Sequence, residues 1–163
     1  TDELMKALEE FKDSTIIFTM PNSDPSSDYK RKKIESFCQH HTNSYAFQSL
    51  GNQNYLSMIK IAAVVIGNSS SGLIEAPYLK TPTVNIGIRQ KGRLSGSSVI
   101  HTEETHSRIA SSIRKALNPE LIKTIDYNEN IYGYGKSSEF IYKKIKEVNL
   151  NNIIFKKFFD IEL

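Results

Sequence analysis

The stretch Val64-Val65-Ile66-Gly67-Asn68-Ser69-Ser70-Ser71-Gly72-Leu73-Ile74-Glu75-Ala76 reads as a strand, a glycine–serine turn and the start of a helix. Residues 63–66 form a continuous apolar run without polar alternation, as in parallel sheets covered on both faces. The turn leads into a helix expected over 71–79, interrupted early by Pro77. On either side, short apolar runs alternate with amphipathic stretches. Toward the amino end lie a helix over 2–12, with Leu4, Leu8 and Phe11 on one face, and a strand over 15–19. A polar turn over 21–27 then starts a helix over 28–41, with Ile34 and Phe37 on its apolar side and Asp28 near its N-cap. A strand over 44–50 and a helix over 53–62 complete that side.

Toward the carboxyl end lie strands over 83–86 and 98–101 and a helix over 104–117 that aligns Ile109, Ile113 and Leu117. A helix over 137–148 precedes an apolar and basic stretch, 149–163, read as a tail or closing helix. Strand–helix alternation of this kind predicts an α/β, Rossmann-like domain spanning 1–163, with a parallel sheet, helices on both faces and right-handed crossovers. Ligands of such sheets sit beyond the carboxyl ends of the strands. Three loops reach that edge: 21–27, 67–72 and 87–96.

Composition narrows the function classes. Hydrophobic residues make up 39% and charged residues 24%, an ordinary globular balance over a length that can bury a core. No apolar run approaches the roughly 20 residues that span a bilayer, and no leader pattern opens the chain, so no membrane partner is expected. The net charge is +3, and Lys30-Arg31-Lys32-Lys33 reads as a solvated helix face; no nucleic-acid partner is expected. Cys38 is the single cysteine, which excludes an internal disulfide and suits a cytoplasmic setting. The sequence opens directly in a helical pattern without an initiator methionine, as if cut from a longer chain.

The 67–72 turn carries the chemistry. A helix N-terminus offers free N–H groups and the positive end of a dipole, Gly67 and Gly72 allow close approach, and Ser69, Ser70 and Ser71 add hydroxyls. Taken by themselves, these residues fit an anion site and a simple helix cap equally. The turn matches neither the Walker pattern nor the G-x-G-x-x-G dinucleotide pattern. Glu75, one turn into the helix, either complements the dipole or accepts from a ribose diol. Arg89, Lys91 and Arg93 in the loop after 83–86 are placed to balance a pyrophosphate, or else are solvated. His101 and His106 lack companions that would complete a metal set.

Gly67-Asn68-Ser69-Ser70-Ser71-Gly72-Leu73-Ile74-Glu75-Ala76-Pro77, followed by Pro82-Thr83-Val84-Asn85-Ile86-Gly87-Ile88-Arg89-Gln90-Lys91-Gly92-Arg93, resembles the hydrolysing UDP-N-acetylglucosamine 2-epimerases. It is closest to the bacterial branch that feeds sialic and related nonulosonic acids. Pro21-Asn22-Ser23-Asp24 and Ile131-Tyr132-Gly133-Tyr134-Gly135 extend the resemblance over about 16–145. It implies the C-terminal, nucleotide-binding half of a GT-B two-domain fold, missing its N-terminal domain and homodimeric when complete. UDP or a UDP-sugar is the implied ligand, with no cofactor and no metal. By motif, Ser69 and Ser70 would hold the β-phosphate, Glu75 the ribose hydroxyls and Arg89 the diphosphate, with Ser71 and Arg93 beside them. Asn22 would line the nucleotide pocket, and Leu50 and Tyr55 would flank the base. The acid/base carboxylates of the family lie largely in the other half, and its histidine before the first strand has no counterpart here. No catalytic residue is therefore expected in this chain, and no turnover from it alone. A GT-B glycosyltransferase domain and a nucleotide-sensing module are the alternatives.

Overall fold

The computed structural model describes residues 1–21, 27–126, 131–133, 135–151 and 154. In chain order its elements are α1 (Asp2–Leu8), β1 (Ile16–Thr19), α2 (Ser27–His40), β2 (Ser44–Phe47), α3 (Gly51–Ile61) and β3 (Val65–Gly67). There follow α4 (Ser71–Tyr78), β4 (Thr83–Ile86), β5 (Val99–Thr102), α5 (His106–Ala116), α6 (Pro119–Thr124) and α7 (Ser137–Glu147). They fall into two compact units, Thr1–Ile131 and Tyr132–Leu163.

Every strand pairing among the described residues of the first unit is parallel. β1 pairs with β2, Ile16 opposite Ser44. β3, β4 and β5 form a second set in that order, with Gly67 opposite Asn85 and Asn85 opposite His101. One apolar core serves both sets: Ile16 and Phe18 of β1 pack against it, as do Ile66 of β3 and Ile86 of β4. Helices cover both faces. Val84 joins Ile109, Ala110 and Ile113 of α5 and Met5, Ala7 and Leu8 of α1 on one side. Its neighbour Thr83 must face the other side, and there it meets α4. Thr83 Cγ2 stands 2.7 Å from where a Cβ on Gly72 would be, so glycine is what lets α4 approach the sheet.

α5 is built for this place. Ile109, Ala110, Ile113 and Ala116 recur at helical spacing and are all buried, while Arg108, Ser111 and Arg114 face outward or sideways. Ile34 and Phe37 bring α2 to the same core, with Phe37 edge-on to Phe18 and stacked on His41. Three acidic residues at the amino end tie distant elements together. Asp2 accepts from the Tyr29 hydroxyl and pairs with Lys33 of α2. Glu3 Oε2 accepts from the His106 backbone N–H at 2.8 Å, supplying the cap that Thr105 does not. Glu10 pairs with His106 Nε2 and with Arg114.

Several boundaries differ from the sequence expectation for local reasons. The helix over 2–12 closes at Leu8, where the Glu10 and Phe11 amides turn back to Ala7 and Leu8; Phe11 still reaches the core. The strand over 44–50 stops at Phe47, and α3 begins at Gly51 with a φ of 65°. β3 starts two residues later than expected and is half-buried. Pro77 does not interrupt α4 early; it falls in the last turn. That end closes with Lys80 N–H to Pro77 O and Thr81 N–H to Ala76 O, Lys80 adopting a φ of 64°. α6 was not anticipated, although Asn118 at its N-cap accepts from Glu120 N–H and Pro119 holds its first position.

The second unit contains α7, an amphipathic helix whose Phe140, Ile141, Tyr142 and Ile145 are exposed. Among the described residues no helix is long and apolar enough to cross a membrane.

Candidate functional site

The site grows from the end of β3. Gly67 ends the strand, residues 68–70 turn, and α4 begins at Ser71. Ser70 holds the N-cap position, yet its side chain makes no capping hydrogen bond. Ser69 Oγ accepts a long hydrogen bond from the Ser71 N–H at 3.3 Å. Among the described residues the N–H groups of Ser69 and Ser70 have no hydrogen-bond partner. The helix-cap reading of these serines therefore loses ground. Unspent donors at the positive end of an eight-residue helix are what an anion requires.

Ser71 is buried, and its Oγ accepts from the Tyr55 hydroxyl at 2.9 Å. Tyr55 thus braces α4 from α3. Leu50 lies at the N-cap of α3 and is half-buried. Glu75 is half-buried, and its Oε2 is shielded from solvent with no donor among the described residues. A carboxylate oxygen left this way has a stake in a hydroxyl donor from outside.

The 87–96 loop reaches the turn from the other side. Gln90 Nε2 donates to the Asn68 carbonyl at 2.7 Å, and Arg89 Nη1 approaches the same oxygen at 3.5 Å. No carboxylate among the described residues lies within ion-pair distance of Arg89, Lys91 or Arg93. Of the three, Arg89 is the one whose side chain is hydrogen-bonded to the turn among the described residues. Arg93 is exposed and contributes its backbone N–H to Gln90 O; among the described residues no hydrogen bond joins its side chain to the turn. The structure joins Ser69, Ser70, Ser71, Tyr55 and Arg89 in one neighbourhood. Asn22 lies outside the described residues.

Sequence reading missed two groups. Gln90 sits between two cations and is polar, yet it is buried, a placement that composition does not signal. Asn85, in the middle of β4, is buried as well and donates to His101 Nδ1 at 3.0 Å. That ring nitrogen accepts, so the proton of a neutral ring belongs on Nε2, which faces Ser95 Oγ at 3.0 Å. The chain Asn85–His101–Ser95 ties the far end of the 87–96 loop to the sheet. His40 and His41 are used locally, each Nδ1 bonding a carbonyl one turn back. Among the described residues no group of three or more His, Cys, Asp or Glu is arranged around a metal position. Burial pushes the Cys38 thiol up, and a Ser44 hydrogen bond offsets this in part, so it is no ready thiolate.

A parallel sheet with helices on both faces, and a helix terminus opening at its carboxyl edge, defines the Rossmann-like class that forms one half of a GT-B fold. The sequence model of the UDP-N-acetylglucosamine 2-epimerase family matches residues 1–146, and the chain belongs to that family. It is 37% identical to the polysialic acid biosynthesis protein P7 of Escherichia coli, covering 98% of this chain and 41% of that one. It is 38% identical to the hydrolysing GDP/UDP-N,N'-diacetylbacillosamine 2-epimerase of Campylobacter jejuni, covering 97% and 41%. The UDP-GlcNAc 2-epimerase of Neisseria meningitidis, solved with UDP-GlcNAc bound, superposes with a TM-score of 0.65 over 90% of this chain and 40% of that one, at 15% identity. The chain thus spans about two fifths of the length of the relatives it matches.

Proposed function

We propose that this chain is the nucleotide-diphosphate-binding half of a hydrolysing UDP-N-acetylglucosamine 2-epimerase or of an enzyme acting on a closely related diacetamido sugar. The observation that carries the proposal is the start of α4, where two N–H groups and the Ser70 hydroxyl are unspent next to Arg89. The β-phosphate sits on Ser69 and Ser70, and the ribose hydroxyls donate to Glu75, whose Oε2 has no donor among the described residues. Family membership and the ligands named for the relatives support a UDP-sugar.

The chemistry follows from that placement. A base removes the C2 proton of the sugar, the C1–O bond to the diphosphate breaks, and a 2-acetamidoglucal and UDP form. Water then adds across the double bond to give N-acetylmannosamine. The diphosphate gains a negative charge as it leaves, so donors fixed around it favour the transition state over the ground state. This half cradles the leaving group; the groups that move the C2 proton come from the rest of the enzyme, a cytoplasmic homodimer in this reading. By itself the chain binds nucleotide and does not turn over.

Calorimetric titration of the chain with UDP, GDP and UDP-GlcNAc tests the binding reading. Millimolar to micromolar binding of UDP is expected. Ser70→Ala should weaken it by about ten- to 150-fold, a hydrogen bond to a charged group being worth about 1.5–3 kcal/mol. Glu75→Ala should abolish any preference of UDP over its 2'-deoxy form. Absent binding of every nucleotide at millimolar ligand would sink the assignment.

A further inference from the structure

The peptide between Asn68 and Ser69 is held from one side only. Gly67 before it has a φ of 151°, open to few residues other than glycine, and α4 does not begin until Ser71. The turn's N–H groups at 69 and 70 bond to nothing among the described residues. What holds this peptide is its carbonyl. Gln90 Nε2 donates to Asn68 O at 2.7 Å, while Arg89 reaches the same oxygen at 3.5 Å, the outer limit of a hydrogen bond.

We infer that Gln90 is the positioning residue of this turn: by holding the Asn68 carbonyl it aims the Ser69 N–H at a bound phosphate. This rests on reading the turn as a diphosphate cradle.

The physical argument is planarity. There are no cis peptides among the described residues, so the Asn68 C=O and the Ser69 N–H point in opposite directions within one plane. Fixing one fixes the other. With the carbonyl held toward the 87–96 loop, the N–H faces away from it, and it is one of the unspent donors. Released, the peptide plane is set only by the ψ of Asn68 and the φ of Ser69, and an unaimed donor loses its advantage over water.

Gln90 is built for this single bond. It is 4% exposed, so water does not compete for Asn68 O from its side. Its carboxamide cannot be reversed, because Oε1 would then face a carbonyl oxygen. Oε1 itself is buried with no donor among the described residues, a cost tolerated for the sake of the other end.

The test uses the 15N-labelled chain followed by NMR during titration with UDP and with uridine, in wild type, Gln90→Met and Ser70→Ala. Gln90→Met keeps the length and removes the donor. Expected are a Ser69 amide signal that shifts on adding UDP, a loss of UDP affinity of about tenfold in Gln90→Met with that shift abolished, and unchanged affinity for uridine. Equal losses for UDP and uridine would make Gln90 a packing residue and overturn the inference. So would full UDP affinity in Gln90→Met while Ser70→Ala is weakened, a result that leaves the cradle standing. Full affinity in both variants overturns the cradle reading itself. If Gln90→Met does not yield folded protein, Gln90→Glu, which keeps the shape and sets a carboxylate against Asn68 O, is read against the same outcomes.

Discussion

Tyr55 donates its hydroxyl proton to Ser71 Oγ while its ring lies half-buried between α3 and α4. Two roles are separable in one side chain: in the proposed function, a ring that flanks the base, and a hydroxyl that braces a helix. Tyr55→Phe keeps the first and removes the second. The expected outcome is a chain destabilised by about 0.5–1.5 kcal/mol in urea unfolding, with UDP affinity changed less than twofold. A tenfold loss of affinity would instead mean that Ser71 must be held by Tyr55 for the phosphate to bind. The serines of the turn were legible as donors in the sequence, because their types and their place before a helix say so. What was illegible was which of them would be spent: Ser71 is engaged by a residue sixteen positions away, whereas Ser70 is not. Gln90 escaped notice for a related reason. Its burial is imposed by the contact with Asn68, and nothing near it in sequence announces that contact.

At the scale of elements, the join between α4 and the sheet is tight. A methyl group on Gly72 would press on Thr83 Cγ2, a branched side chain with little room to turn. Gly72→Ala is therefore expected to destabilise by about 1–3 kcal/mol, the range for overpacking. Thr83→Ser deletes that methyl, so the double variant Gly72→Ala/Thr83→Ser should recover most of the loss. Unfolding midpoints of the four proteins in the cycle check this, and additive losses would count against the contact. The elements themselves were largely readable. β4 falls at Thr83–Ile86 and α4 starts at Ser71, as the apolar run and the serine cluster predict. Strand ends were read too long where the chain leaves the sheet through polar residues that still have strand-like character, as at Gln48. α6 was overlooked although Asn118-Pro119-Glu120 carries a capping residue, a proline at the first position and an acid in the first turn. Its shortness hid it, since six residues show no apolar periodicity.

For the whole molecule, the acidic residues of the amino end link α1 to α2 and α5, and they make stability depend on pH. Glu10 is held below the usual carboxylate range first by the hydrogen bond from His106 and then by Arg114. Glu3 is lowered mainly by the His106 backbone N–H, and Asp2 by the Tyr29 hydroxyl and Lys33. A carboxyl group depressed in the folded state contributes stability above its unfolded pKa and loses that contribution as pH falls through the folded one. The melting temperature should accordingly drop from about pH 4 downward, near the ordinary carboxylate range. Glu10→Gln should flatten that drop while lowering the plateau at neutral pH. An acid limb of unchanged slope in the variant would assign the effect to other groups. These links span the unit and were beyond sequence reading, because ion pairs a hundred residues apart leave no periodic trace.

The bond from Glu3 to the His106 amide, 103 residues away, also has a consequence in time. On a ribosome adding about 5–20 residues per second, α1 emerges and waits about 5–20 s before the helix it caps and packs against has been made. Through that interval Met5, Ala7 and Leu8 lack the partners Ile109 and Ile113 that cover them in the finished core. The fold is closed late, by its fifth helix, and a chain halted at residue 105 should be cut by protease first within α1. Protection of α1 in that halted chain would show that α2 alone is enough to hold it.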